Sequence, residues 1–180
     1  MMHHCCQLEA RLELLATLRR AGGLESVARQ ANVPPASVMA CAEAFLPVLV
    51  SGLRERVAAG GGGDAGLAVV LAQIDECGDG NLAVLVMGQD KVDTSANRAL
   101  LTRFVGPEAM WRVFCADCAT ACRLEQDVVL DVIVLLTMLT CGYLSARSHG
   151  TGAGHGDMAV ELGPLYGMLT AAPGEGPDFV

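Results

Sequence analysis

Apolar side chains recur along this chain at intervals of three and four, and glycine or proline cuts each run, a pattern that predicts helices joined by short turns. Leu8, Leu12, Leu15 and Leu18 form the first stripe, which Gly22 and Gly23 end, giving a helix over about Leu8 to Ala21. Leu24, Val27, Ala28 and Ala31 mark a second helix ending near Asn32. Pro35 suits the first turn of a third, where its missing N–H costs nothing. That third helix carries Val38, Cys41, Ala42, Phe45, Leu46, Leu49 and Leu53 as one broad apolar stripe, interrupted by Pro47. Gly60 to Gly63 read as a flexible linker before a short buried helix over Leu67 to Ile74 and a turn over Asp75 to Gly80. Asn81 is placed to cap a short helix that Gly88 ends, and Asp93 or Thr94 to cap another running to Val105. Past Gly106 and Pro107 come a helix through Trp111, Phe114 and Cys118 and a long one from about Glu125 to Arg147. A weak helix over Met158 to Leu169 and a disordered end over Pro173 to Val180 complete the prediction.

The long stripes are alike. Sliding the chain by 90 positions superposes Val38 on Val128, Leu46 on Leu136, Leu49 on Leu139 and Gly52 on Gly142, with Phe45 on Leu135 and Leu53 on Tyr143. Each copy reads as a short helix, a tight turn and a long amphipathic helix. The expected architecture is therefore all-α: one multihelical domain with two helix-turn-helix-like units. Residues 1–7 form a flexible N-terminus, unit one spans about 8–59, a linker 60–66, unit two about 67–147, and residues 148–180 a Gly/Pro-rich acidic tail.

Val27-Ala28-Arg29-Gln30-Ala31-Asn32-Val33, followed by Ser37-Val38 and then Phe45 through Leu53, has the form of a helix-turn-helix that leads into a long apolar helix. Asp79-Gly80-Asn81-Leu82 leads to Met87-Gly88, and Val134 through Leu139 repeats the Leu-Leu pattern. Over about Leu8 to Arg147 this combination resembles the YidB-like family of bacterial proteins of unknown function. The resemblance implies homeodomain-like units and brings no catalytic residues. Thr137 stands where the family pattern places a proline, and the cysteines lie outside that pattern.

Composition narrows the function. With 52% of 180 residues hydrophobic and only 4% aromatic, the core must be aliphatic, and the chain is long enough to bury one well. The net charge of −8, with Lys91 the sole lysine, repels phosphate backbones and anionic lipid, which argues against nucleic acid despite the helix-turn-helix form. Half of that charge comes from Asp157, Glu161, Glu175 and Asp178. The apolar run Val132 to Ala146, between Asp131 and Arg147, falls short of the roughly 20 residues a membrane span needs and reads as a core helix. Eight cysteines without a secretory h-region near Met1 to Arg20 point to reduced thiols in a cytoplasm.

Cys115, Cys118 and Cys122 form a C-x2-C-x3-C run that a helix would bring near one face, with Cys141 or a histidine as a fourth metal ligand. The plain alternative is that these are core cysteines. Met1 to Cys6 is a second soft-ligand cluster, and His149 and His155 lack a carboxylate or nucleophile at fixed spacing. Gly61, Gly63 and Gly66 match a dinucleotide fingerprint without the strand it needs. Asp75, Asp79 and Gly80 hint at a calcium loop, but Val86 stands where a bidentate Glu belongs. No catalytic residue and no cofactor is expected. The leading expectation is a non-enzymatic protein that contacts a protein partner or itself through Phe45, Leu49, Leu53, Leu135, Leu139 and Tyr143. A cysteine-based metal or redox protein comes next, and a nucleic-acid binder third.

Overall fold

The computed structural model describes residues 14–78, 81–148 and 163–171. All regular structure among them is helical: α1 (residues 14–20), α2 (Gly23–Ala31), α3 (Pro35–Ala59), α4 (Gly63–Gly78), α5 (Leu82–Met87), α6 (Ala99–Phe104), α7 (Glu108–Cys122), α8 (Gln126–Ser148) and α9 (Gly163–Thr170). The terminal segments, the Met1 to Cys6 cluster, the Asp79-Gly80 turn, His149 and His155 lie outside the described residues.

α8 is the axis of the molecule. It packs against α2, α3, α4, α5, α6 and α7, and every residue from Val132 to Ser145 is buried. A helix apolar on all sides has no solvent face to offer, so its neighbours must surround it. Both α3 and α8 are long and apolar enough to cross a bilayer by length and composition. The helix as a whole reaches back past Asp131 through Val128, Val129 and Leu130 to Gln126, so length alone does not set it apart from a membrane span. In the fold, 89% of its most apolar window is buried inside the chain.

The α2–α3 and α7–α8 junctions share one backbone solution. α2 ends with Asn32 at φ 55°, and the Val33 N–H donates to the Ala28 carbonyl at 3.0 Å; α7 ends with Arg123 at φ 56°, and the Leu124 N–H donates to Ala119 at 3.1 Å. The long helices then start at Pro35 and Gln126, 91 positions apart. With that offset, the buried residues Val38, Cys41, Ala42, Phe45, Leu46 and Leu49 of α3 fall on the buried Val129, Val132, Ile133, Leu136, Thr137 and Thr140 of α8. Sequence identity favours an offset of 90, one residue out of register, pairing Val38 with Val128, Leu46 with Leu136, Leu49 with Leu139 and Gly52 with Gly142. Each of those glycines admits a neighbouring backbone, Phe104 and Val105 at Gly52 and Ala83 at Gly142. Between helix start and glycine, α3 therefore holds one more residue than α8, and it is α3 that contains Pro47.

The glycines at 60–63 are a hinge of fixed shape rather than a loose linker. Gly61, Gly62 and Gly63 have φ of 111°, 73° and 55°, values open to glycine, and α4 begins at Gly63, so the expected linker 60–66 is half helix. Gly66 lies directly on the Val57 carbonyl, which closes α3 and α4 into a hairpin. α4 also runs on to Gly78, four residues past the expected end at Ile74. In the other direction, the helix expected from Asp93 to Val105 shrinks to α6. Asp93 caps a turn instead, accepting from the Ala96 N–H at 3.2 Å, while Thr94 donates to Asp131 of α8 at 2.6 Å.

Arg29 and Gln30, on the first helix of the helix-turn-helix form, bind the chain itself. The Arg29 guanidinium donates to Gly88 at 2.7 Å and Met87 at 3.3 Å, covering carbonyls at the end of α5, and Gln30 exchanges hydrogen bonds with Asp90 and Val92 at 2.8 and 3.0 Å.

A candidate three-thiol site between two helices

α7 begins after Pro107, with Glu108 in its first turn, and stops where Arg123 turns left-handed. Its apolar side faces the N-terminal half of α3, and the two run antiparallel. The Phe45 ring meets Phe114 with centroids 5.5 Å apart and planes tilted by 53°. One turn further along α7, and one turn back along α3, Cys118 meets Cys41. A further turn brings in Cys122, the last residue of α7.

The three sulfurs form a nearly equilateral triangle. Cys118 Sγ lies 3.4 Å from Cys41 Sγ, and Cys122 Sγ lies 3.7 Å from each of the other two. Cys41 is fully buried, Cys118 is 5% exposed, and Cys122 sits at the rim. Burial pushes the Cys41 thiol far above its ordinary value, with the neighbouring thiols adding to the effect, and it raises Cys118 as well. Reactive cysteines gain their thiolate at helix N-termini or beside cations, whereas Cys118 and Cys122 occupy the negative end of α7. With their pKa values raised by burial, Cys41 and Cys118 are inert as free thiols; a bound soft cation would displace their protons.

Two of the four cysteines expected from sequence, Cys118 and Cys122, are in the triangle, and two are not. Cys115 is one turn too early on α7: it is buried near Cys118, and burial, partly opposed by Arg112, raises its thiol to about 11. Cys141 is enclosed in α8, where burial and nearby Cys77 raise it. Cys77 in turn accepts a hydrogen bond from the Arg103 guanidinium at 3.0 Å. The third member, Cys41, passed as one more apolar position on the α3 stripe. Only the crossing of α3 over α7 picks it out, and no local spacing encodes that.

Phe45, Leu49, Leu53, Leu135, Leu139 and Tyr143, the expected contact surface, are all buried, none more than 4% exposed. They pack into this chain's own interior, Leu135, Leu139 and Tyr143 on the α8 that its neighbours surround.

These thiols bear on stability. A cysteine that ionises near pH 9 when unfolded but stays protonated in the fold stabilises the native state at lower pH, and that contribution is lost as pH rises. Stability is expected to fall above about pH 9 by roughly 1.4 kcal/mol per pH unit for each such thiol. Urea midpoints at pH 8 and 10.5 check this, and Cys141→Ala must flatten the difference.

The chain matches no protein-family model, no curated protein and no solved structure.

Proposed function

We propose that this protein binds a thiophilic ion between α3 and α7, held by Cys41, Cys118 and Cys122. One observation carries the reading: two helices bring three sulfurs within 3.4–3.7 Å of one another. Three sulfurs at about 2.3 Å from a tetrahedral ion lie about 3.8 Å apart, so little rearrangement is needed. Cysteines that merely fill a core have no reason to converge in a triangle. The role is binding rather than catalysis, in a reducing compartment such as a cytoplasm, where thiols persist unpaired. In support, the six described cysteines are all free.

Titrating reduced protein with cadmium or zinc is expected to give a one-to-one complex with sulfur-to-metal absorption in the near ultraviolet. Cys122→Ser, at the rim, should weaken binding by about tenfold or more while preserving the helical spectrum, and Cys141→Ala should leave it unchanged. Failure of every thiophilic ion, divalent or trivalent, to bind at micromolar concentration removes the proposal.

A second reading, a non-enzymatic contact with a protein partner or another copy, draws support from Val84 and Leu85 on α5 and Val113 on α7, which are 59%, 50% and 62% exposed. Light scattering over a concentration series that returns a strict monomer removes its self-assembly form. The homeodomain-like units and kinship with the YidB-like family belong to the same proposal, supported by the matching caps at Asn32 and Arg123. Nucleic-acid binding draws no support from a net charge of −8.

A further inference from the structure

We infer that the ion suited to this site is a pyramidal, trivalent one delivered as a neutral trihydroxide, with arsenous acid as the representative ligand. The inference rests on the three-thiol reading above and specifies what fills it.

Geometry comes first. A circle through the three sulfurs has a radius of about 2.1 Å, so an ion bonded at about 2.3 Å stands about 1 Å out of their plane, with angles at the ion of about 95–107°. A planar three-coordinate ion with the same bonds needs sulfurs about 4.0 Å apart, wider than every edge here. Tetrahedral zinc requires a fourth ligand, and among the described residues no histidine, cysteine or carboxylate joins the three. Trivalent arsenic bonds sulfur at nearly the zinc distance and fills the fourth corner with its own lone pair.

Charge points the same way. A dication with three thiolates leaves one net negative charge in an apolar interior, where an unpaired charge is strongly disfavoured. No cation among the described residues acts on Cys41 or Cys118; the influences on them are burial and other thiols. Arg123, which follows Cys122, is exposed. Arsenous acid avoids that charge. Three S–H and three As–O bonds break, and three As–S and three O–H bonds form, releasing three waters. Arsenic stays trivalent, no proton is released, and the product is neutral. Cys122, at the rim, is the point of entry.

The test uses the full chain, reduced with a phosphine and free of competing thiols. Arsenite is expected to add one arsenic in place of three hydrogens by mass spectrometry, to remove three thiols from titration, and to leave the pH of a weakly buffered solution unchanged. Cys41→Ala and Cys122→Ser should each weaken binding by about a hundredfold, since the third bond closes within one molecule, and Cys115→Ser should not. Circular dichroism confirms that each variant is folded. Cadmium or zinc binding with proton release, and no arsenite adduct, overturns this inference while leaving the proposed function standing; no binding of any of them overturns both. Full arsenite affinity in both Cys41→Ala and Cys122→Ser overturns the inference, because other thiols would then suffice.

Discussion

Gly142→Ala is expected to lower the unfolding free energy by about 3 kcal/mol, a large share of the roughly 5–15 kcal/mol that holds a domain together. A Cβ at Gly142 would land on the backbone nitrogen of Ala83 and crowd its Cα and Cβ. Backbone cannot rotate aside as a side chain can, so α5 must lift away from α8. Lifting it uncovers Leu82, Ala83 and Val86, which are 1%, 6% and 0% exposed. It also pulls on the carbonyls at Met87 and Gly88 that Arg29 holds. Gly167, on α9, provides the contrast: it is helical, exposed and has nothing near its missing Cβ, so Gly167→Ala should be neutral or stabilise by up to about 1 kcal/mol. Urea unfolding followed by circular dichroism separates the two. A Gly142→Ala midpoint equal to that of the parent would mean that α5 does not rest on this glycine.

Helix positions were legible in the chain because each boundary has a local chemical cause. Asn32, Pro35, Gly88 and Pro107 act through their own backbone preferences, and these boundaries fall within a residue or two of the expected ones. What misleads is glycine read by composition. Gly60 to Gly63 suggest slack, yet Gly63 and Gly66 are helical, and Gly66 serves to bring α4 onto Val57. The start of α6 differs from expectation for a related reason: Asp93 caps a turn that does not continue into the helix, and Thr94 is drawn to Asp131 instead.

The candidate site divides in the same way. Cys118 and Cys122 share a face because both lie on one helix at a spacing of four, which any reader of helical periodicity can find. Cys41 is 77 positions from Cys118, and its membership depends on how α3 crosses α7, a property of the whole packing. Cys115 of the C-x2-C-x3-C run shares that face but lies one turn too early along α7 to reach Cys41, and so falls outside the triangle. Nor does an apolar stripe say what covers it. Phe45, Leu49, Leu135 and Leu139 fit a docking surface and a core equally well until α8 is seen enclosed by its neighbours.

Phe45→Ala is expected to remove about 4 kcal/mol, within the usual range for deleting a fully buried aromatic ring. The ring has no exposure and lies against Phe114, so its loss opens a cavity in the α3–α7 seam one turn from Cys41. Phe114 is only partly buried, so Phe114→Ala should cost less, and a double-mutant cycle should assign about 0.5–1.5 kcal/mol to the tilted pair itself. Phe45→Leu keeps most of the volume and isolates the consequence for the thiols. If the ring sets the spacing of the two helices, Phe45→Leu should fold with a modest loss and yet bind a thiophilic ion several-fold more weakly than the parent. Equal affinity would mean that the cysteines alone draw α3 and α7 together. The unfolding midpoint and the ion titration, made on both Phe45→Leu and the parent, distinguish a seam that positions the sulfurs from one that merely contains them.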